Sequence, residues 1–265
     1  MLCACGRLRF DDTHVDGRAD GPNTAFAPPH KITELESAQD DITPSMRADQ
    51  LELMFASLRP PAVGAYLLWE TTRTTTDEPW SSPVQATFTG VTASSEPALS
   101  DDGLQLYFRR NSSALAVTDR GALDTAWATP TVATELAGMT GIDYIGDLRA
   151  VMNDAAGNLF ESTRTDRHAM WSTPVLIAEL ANGYKHAYPT ASADGLELFF
   201  QNDASGISQL ARAVRPAIDQ PFGSIEPVDV GFPTLIVGDP ELSHDGHTLV
   251  FVVKDTDYEI YEMSR

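Results

Sequence analysis

Seven polar residues of this 265-residue chain have the types and the spacing to do chemistry together. Four of them, Thr43, Glu96, Tyr188 and Asp239, stand directly before a proline, and each proline lies five residues before an Asp. Asp143 holds a comparable place in a less regular stretch, and Asp41 and His186 flank the same positions. If the chain brings these residues to one opening, it collects several carboxylates and an aromatic there. A glycoside hydrolase needs two carboxyl groups at a defined separation, one of them kept protonated by its surroundings. A hard cation such as Ca²⁺ needs several oxygens. The plainest alternative is that these groups only hydrate a solvent channel. The sequence leaves all three readings open.

What must position these residues is a repeat. Each proline begins a phrase: Pro44 to Phe55, Pro97 to Phe108, Pro189 to Phe200 and Pro240 to Phe251. In every copy a Leu lies four residues after the Asp and a Phe six after it. Three copies have Asp-Gly at the turn: Asp102-Gly103, Asp194-Gly195 and Asp245-Gly246. Asp-Gly followed by alternating apolar residues predicts a hairpin turn and a strand. A second phrase of eight residues occurs five times and ends on Arg73, Arg120, Arg164, Arg215 and Arg265. Seven residues after the first four arginines come Trp80, Trp127, Trp171 and Phe222. The arginines are expected to cap a loop or pair with a carboxylate of a neighbouring unit, and the aromatics to pack between units.

Each unit therefore reads as four strands in 44 to 51 residues, the period of a β-propeller. The third unit is degenerate, with an inner strand expected at about 140–145, a turn at Gly146-Asp147 and a second strand from Leu148 to Asn153. The fifth unit stops at Arg265, after its third strand. The segment Phe26-Ala-Pro-Pro29-His-Lys-Ile-Thr-Glu-Leu35 resembles a fourth strand with no unit before it. It is expected to complete the last blade and cover its open edge. The prediction is an all-β, five-bladed propeller over residues 25–265, closed by that N-terminal strand.

The repeat resembles the WD-repeat-like propeller repeat found in the periplasmic TolB proteins and many bacterial surface proteins. Ser100 to Phe108, Ser192 to Phe200, Ser243 to Phe251 and Tyr258 to Tyr261 carry the likeness, which covers nearly all of residues 40–265. It implies the fold and little about activity, because propellers host binders, scaffolds and hydrolases alike. TolB proteins have a further N-terminal domain, and none is expected in the 24 residues before this propeller.

The bulk numbers limit function further. A formal net charge of −20 argues against nucleic acid and anionic membrane surfaces as partners. The two cysteines, Cys3 and Cys5, are too close for a useful structural disulfide and too few for a zinc site. Residues 1–24 read as a flexible leader. Within it, Leu2-Cys3-Ala4-Cys5-Gly6 resembles a lipoprotein cleavage box with Cys5 as the lipidated residue. The chain has no Gly-rich phosphate loop, no Gly-x-Ser-x-Gly elbow and no His-Glu-x-x-His pair. His244 and His247 sit in a turn where their rings are not expected to converge on a metal, and Asp255-Thr-Asp257 lacks the rest of a calcium loop. The expectation is a monomeric binding or scaffold protein of the cell envelope, with a protein or glycan partner and membrane attachment only through a lipid. No cofactor is expected, Ca²⁺ at the channel mouth being the one ion considered. The alternative is a glycoside hydrolase or lyase using the mouth carboxylates.

Overall fold

The computed structural model describes residues 25–111 and 114–265. The leader and Cys5 lie outside them. Among the described residues, twenty strands form five four-stranded antiparallel sheets arranged as the blades of a propeller. Blade I contains β2 (Asp41–Met46), β3 (Glu52–Ser57), β4 (Leu67–Thr72) and β5 (Val84–Gln85). Blade II contains β6 (Ser94–Leu99), β7 (Gln105–Arg110), β8 (Ala114–Asp119) and β9 (Thr131–Val132). Blade III contains β10 (Met139–Ile145), β11 (Arg149–Asp154), β12 (Leu159–Thr163) and β13 (Val175–Leu176). Blade IV contains β14 (His186–Ala191), β15 (Glu197–Asn202), β16 (Gln209–Val214) and β17 (Glu226–Pro227). Blade V contains β18 (Ile236–Leu242), β19 (Thr248–Lys254), β20 (Tyr258–Ser264) and the N-terminal β1 (His30–Lys31).

The ring closes as the sequence predicts. His30 pairs with Glu262 and Lys31 with Tyr261, so β1 covers β20. Ile32 and Leu35, just beyond β1, are buried in the apolar cluster that joins blades V and I. Four more clusters fill the other seams: I with II, II with III, III with IV and IV with V. The second strand of each blade supplies their densest residues. Phe55, Phe108, Phe199, Phe200 and Phe251 are fully buried.

Two phrases of the repeat become one joint. At each hairpin between the first and second strands, Asp102, Asp194 and Asp245 accept the backbone N–H two residues on, and Ser100, Ser192 and Ser243 donate to them. The following Gly103, Gly195 and Gly246 take φ of 73°, 68° and 74°, which Gly adopts at no steric cost. The Nε of each repeat arginine donates to a carbonyl of this turn: Arg73 to Gln50, Arg120 to Gly103, Arg164 to Asp147, Arg215 to Gly195 and Arg265 to Gly246, at 2.6–2.8 Å. The guanidiniums lie over Trp80, Trp127, Trp171 and Phe222 at 4.2–4.4 Å from the ring centres. Phe26 serves Arg265 in the same way at 4.9 Å, so the segment that closes the sheet also supplies the fifth ring. Three guanidiniums then reach a carboxylate of the preceding blade: Arg120 to Glu52, Arg215 to Glu161 and Arg265 to Glu197. Arg164 meets Gln105 instead.

Candidate functional site

The innermost strands β2, β6, β10, β14 and β18 line the channel. Four of them carry the X-Pro step, and it deforms them identically. Thr43, Glu96, Tyr188 and Asp239 have φ of 50°, 53°, 51° and 50°. The pairing with the second strand slips there, between Ile42 and Ser45, Ser95 and Ala98, Ala187 and Thr190, and Gly238 and Glu241. Positive φ is uncommon for any side-chain-bearing residue and more so for a β-branched Thr, so each blade holds about 1–3 kcal/mol of local strain here. Blade III has Gly141 in place of the X-Pro step, and its Cβ direction is filled by Asn153 Oδ1 at 2.6 Å.

This bulge decides where the side chains go. Inner strands of neighbouring blades do not pair with one another, so amides that face across a seam need other acceptors. Side chains of the preceding blade supply them. Asp239 Oδ2 accepts the Thr43 amide at 3.0 Å and Glu241 Oε1 accepts that of Met46 at 2.6 Å. Thr43 Oγ1 accepts from Glu96 N at 3.3 Å and Ser45 Oγ from Leu99 N at 2.9 Å. Asn153 Oδ1 accepts from Tyr188 N at 3.2 Å, and Thr190 Oγ1 from Leu242 N at 3.1 Å. Asp143 accepts the Ala191 amide and the Thr190 hydroxyl. These bonds form a girdle around the axis, and three carboxylates belong to it.

Five of the seven residues singled out in the sequence meet at one small space. Thr43, Glu96, Asp143, Tyr188 and Asp239 line it, together with Glu241. About 30 Å³ is open to a water-sized group. Asp41 and His186 do not reach it, although the sequence placed them on the same rim. Asp41 is fully buried, accepting from Arg59 Nη2 at 2.8 Å and Ser37 Oγ at 3.0 Å. His186 is 3.2 Å from Leu180 O and 3.0 Å from Asn182 Oδ1 through Nε2, and meets Phe200 edge-on. Both precede the bulge, so a plain alternation of faces does not carry them to the axis. Deeper along the channel, a second space of about 20 Å³ is lined by Asp101, Gly146, Ala193 and His244 among others. Asp143 and Glu241 border both spaces.

Burial governs the electrostatics. It pushes Glu96 up to about 7 against the pull of Arg109, with the charge of Asp239 adding to the rise. Arg109 Nη1 donates to Glu96 Oε1 at 3.1 Å, while Oε2 is buried with no hydrogen-bond partner. Burial also raises Asp239 to about 7, the Thr43 amide opposing. Asp143 rises to about 7 for the same reason, and Glu241 stands well above the carboxylate range through burial and the nearby Asp143 charge. The Asp239 charge and burial raise the Tyr188 hydroxyl; burial and Asp40 raise that of Tyr66. Tyr66 donates to Asp40 Oδ2 at 3.2 Å, and Asp40 Oδ1 accepts the Tyr258 amide. Glu241, Arg109, Tyr66 and Tyr258 were not singled out in the sequence. Glu241 had a signal, standing two residues after Asp239 and directly after the proline. Among the described residues no three His, Cys, Asp or Glu side chains group in a way that could hold a metal ion, and no helix is long and apolar enough to cross a membrane.

No family model and no curated protein sequence matches this chain. Its fold is similar to several solved structures. The catalytic domain of a GH62 α-L-arabinofuranosidase from Coprinopsis cinerea superposes with a TM-score of 0.61 at 11% identity, over 91% of this chain and 97% of that one. The putative TolB from Agrobacterium tumefaciens gives 0.55 at 17% identity, over 89% and 83%. TolB from Acinetobacter baumannii gives 0.53 at 15% identity, over 88% of this chain and 56% of that one. At these identities the shared property is the fold, an all-β propeller that TolB proteins and glycosidases both use.

Proposed function

We propose that this protein is a non-catalytic binding or scaffold propeller of the bacterial cell envelope that engages a protein or glycan partner at the channel mouth. The observation that carries this reading is the employment of the axial carboxylates. Asp239, Glu241 and Asp143 accept backbone amides of the next blade. They hold the ring together, and the open space beside them is about 30 Å³. Hydrolysis would need two carboxyl groups flanking a sugar ring, about 5–9.5 Å apart. The envelope assignment is supported by the TolB-like fold, the net charge of −20 and the cysteine box around Cys5, which would supply a lipid anchor.

A second reading, glycoside hydrolysis, is favoured by one observation. Glu96 and Asp239 line the same mouth and both titrate near 7, so one can be protonated while the other is ionised. The arabinofuranosidases of the same fold give it context. A thermal-shift screen of residues 23–265 with divalent metals, oligosaccharides and peptidoglycan fragments separates the two, run beside a Glu96→Gln/Asp239→Asn variant. A ligand at a hundred times its Kd stabilises the fold by about 2.7 kcal/mol. The expected result is a shift that the variant loses, without turnover of the ligand. Turnover that either single amide abolishes would establish the second reading. Shifts that the variant retains in full would overturn the mouth as the site.

A further inference from the structure

The girdle around the axis has one gap. Blade V gives blade I two acceptors, Asp239 and Glu241, and blade I gives blade II two, Thr43 and Ser45. Blade III gives blade IV Asn153 and Asp143, and blade IV gives blade V Thr190. Blade II gives blade III none. Ala98 stands where the other blades carry Ser45, Asp143, Thr190 and Glu241, and its side chain has no acceptor. Glu96, at the bulge, turns to Arg109 of its own blade. The Tyr144 amide, in the place of Leu99, is met by Asp143 of its own strand. Among the described residues no hydrogen bond joins β6 to β10.

The arginine joints, on other strands, show the same seam. Arg120, Arg215 and Arg265 each reach a carboxylate of the preceding blade. Arg164 of blade III meets the neutral Gln105 through Nη1, and its Nη2 is buried without a hydrogen-bond partner. Arg73 also lacks such a carboxylate, but its seam, V with I, has both girdle bonds. Only II with III is short of both.

What does hold blades II and III lies away from the mouth. Trp171 Nε1 donates to the Tyr107 hydroxyl at 3.1 Å within the apolar cluster of the seam. At the end opposite Glu96, Arg167 pairs with Asp102 and donates to Ser100 Oγ at 3.1 Å. Tyr144 donates to Gln105 Oε1 at 2.9 Å. A seam tied at one end and along its outer side, and bare at the other end, has the form of a hinge.

We propose that the ring is hinged between blades II and III: the channel mouth widens as Glu96 and Gly141 part, while the Arg167–Asp102 tie at the far end stays closed. This opening needs no ligand, so it does not depend on what the mouth binds.

The test is double electron–electron resonance on the full chain carrying Cys3→Ser and Cys5→Ser, with spin labels on pairs of introduced cysteines. The exposed positions Thr92, before β6, Ala155, between β11 and β12, and Ala204, between β15 and β16, stand at the mouth end. The exposed Leu123 and Leu148 stand at the far end. The expected result is two distances for Thr92→Cys/Ala155→Cys and one each for Ala155→Cys/Ala204→Cys and Leu123→Cys/Leu148→Cys. Ala98→Ser, which offers the Tyr144 amide the acceptor that Ser45 offers Leu99, should remove the longer distance. If Ala98→Ser fails to fold, Thr190→Ala takes its place: it strips seam IV–V of its inner-strand bond and should add a longer distance to Ala204→Cys/Thr256→Cys. A single distance across the II–III mouth overturns the proposal. So does a longer distance that a folded Ala98→Ser leaves unchanged, because the spread then belongs to the labelled loops. Two distances for Leu123→Cys/Leu148→Cys would mean that the blades separate along their whole length, and the hinge falls.

Discussion

Replacing Asp239 with Asn should make the protein more stable at pH 8 and remove part of its pH dependence. The carboxyl is pushed up to about 7 from the ordinary aspartate value of about 3.9, burial outweighing the Thr43 amide. A raised folded-state value means that the native state binds this proton more tightly than the unfolded chain. The stability linked to it is complete below about pH 4 and is lost as pH rises toward 7. That rise corresponds to about 4 kcal/mol in total, of which about 3 kcal/mol falls between pH 5 and 8. Asn keeps an oxygen for the Thr43 amide and has no proton to lose. In urea unfolding at pH 5, 6, 7 and 8, the variant should match the wild type within about 1 kcal/mol at pH 5 and exceed it by about 2–3 kcal/mol at pH 8. Glu96, also near 7, leaves a residual slope of the same sign in the variant. Parallel curves for the two proteins, or a less stable variant at pH 8, would refute the reasoning: the carboxylate would then be solvated through the channel.

Three further outcomes follow from the packing. Arg120→Met breaks the bond to Gly103 O, the contacts to Glu52 and the stack on Trp127, and should cost about 3–5 kcal/mol in chemical denaturation. Arg73→Met, which loses a carbonyl bond and the Trp80 stack, should cost about 1–2 kcal/mol; similar losses for both would show that the inter-blade carboxylate contributes nothing. A Cβ on Gly157 meets the backbone at Lys185 Cα at 2.6 Å at φ 86°, whereas one on Gly64 at φ 69° meets nothing within 4 Å. Gly157→Ala should therefore lose more than about 2 kcal/mol and Gly64→Ala about 1 kcal/mol, and equal losses would contradict the close approach. Removing residues 25–38 should prevent cooperative folding, measured by calorimetry, while removing 1–22 should leave the melting temperature unchanged. Leu35→Ala alone, at 1% exposure, should cost about 2–5 kcal/mol.

The five arginines and their following aromatics made the architecture legible, because each pair is a complete local joint and recurs at nearly constant spacing. Even the closing strand was visible, since Phe26 keeps the aromatic's place ahead of Pro29. The site was legible in outline. A proline after a polar residue marks the bulge, and four of the five residues found at the mouth carry that mark. Asp41 and His186 misled because they lie on the far side of the bulge, where counting by twos loses phase. Arg109 was invisible because it comes from the second strand and enters the site only through its long side chain. Tyr66 directly precedes and Tyr258 begins the third strand of two adjacent blades, and only closure brings them together over Asp40.

Closure by β1 also gives the ring a direction of mechanical weakness. Ala27 N donates to Ser264 O at 2.7 Å, so the first and last described residues leave the same end of one strand pair. Tension applied between residues 25 and 265 would load that bond first, then the pair His30 with Glu262, then Lys31 with Tyr261, and then the Ile32 amide on Ile260 O. The bonds would open singly, as a zipper opens, under far less force than a pair sheared along its length. The outer strands β5, β9, β13 and β17 are held by chain on both sides and have no such free end. A pull on residue 25 alone, with the load taken up elsewhere on the ring, would peel the same short strand and uncover the edge of β20.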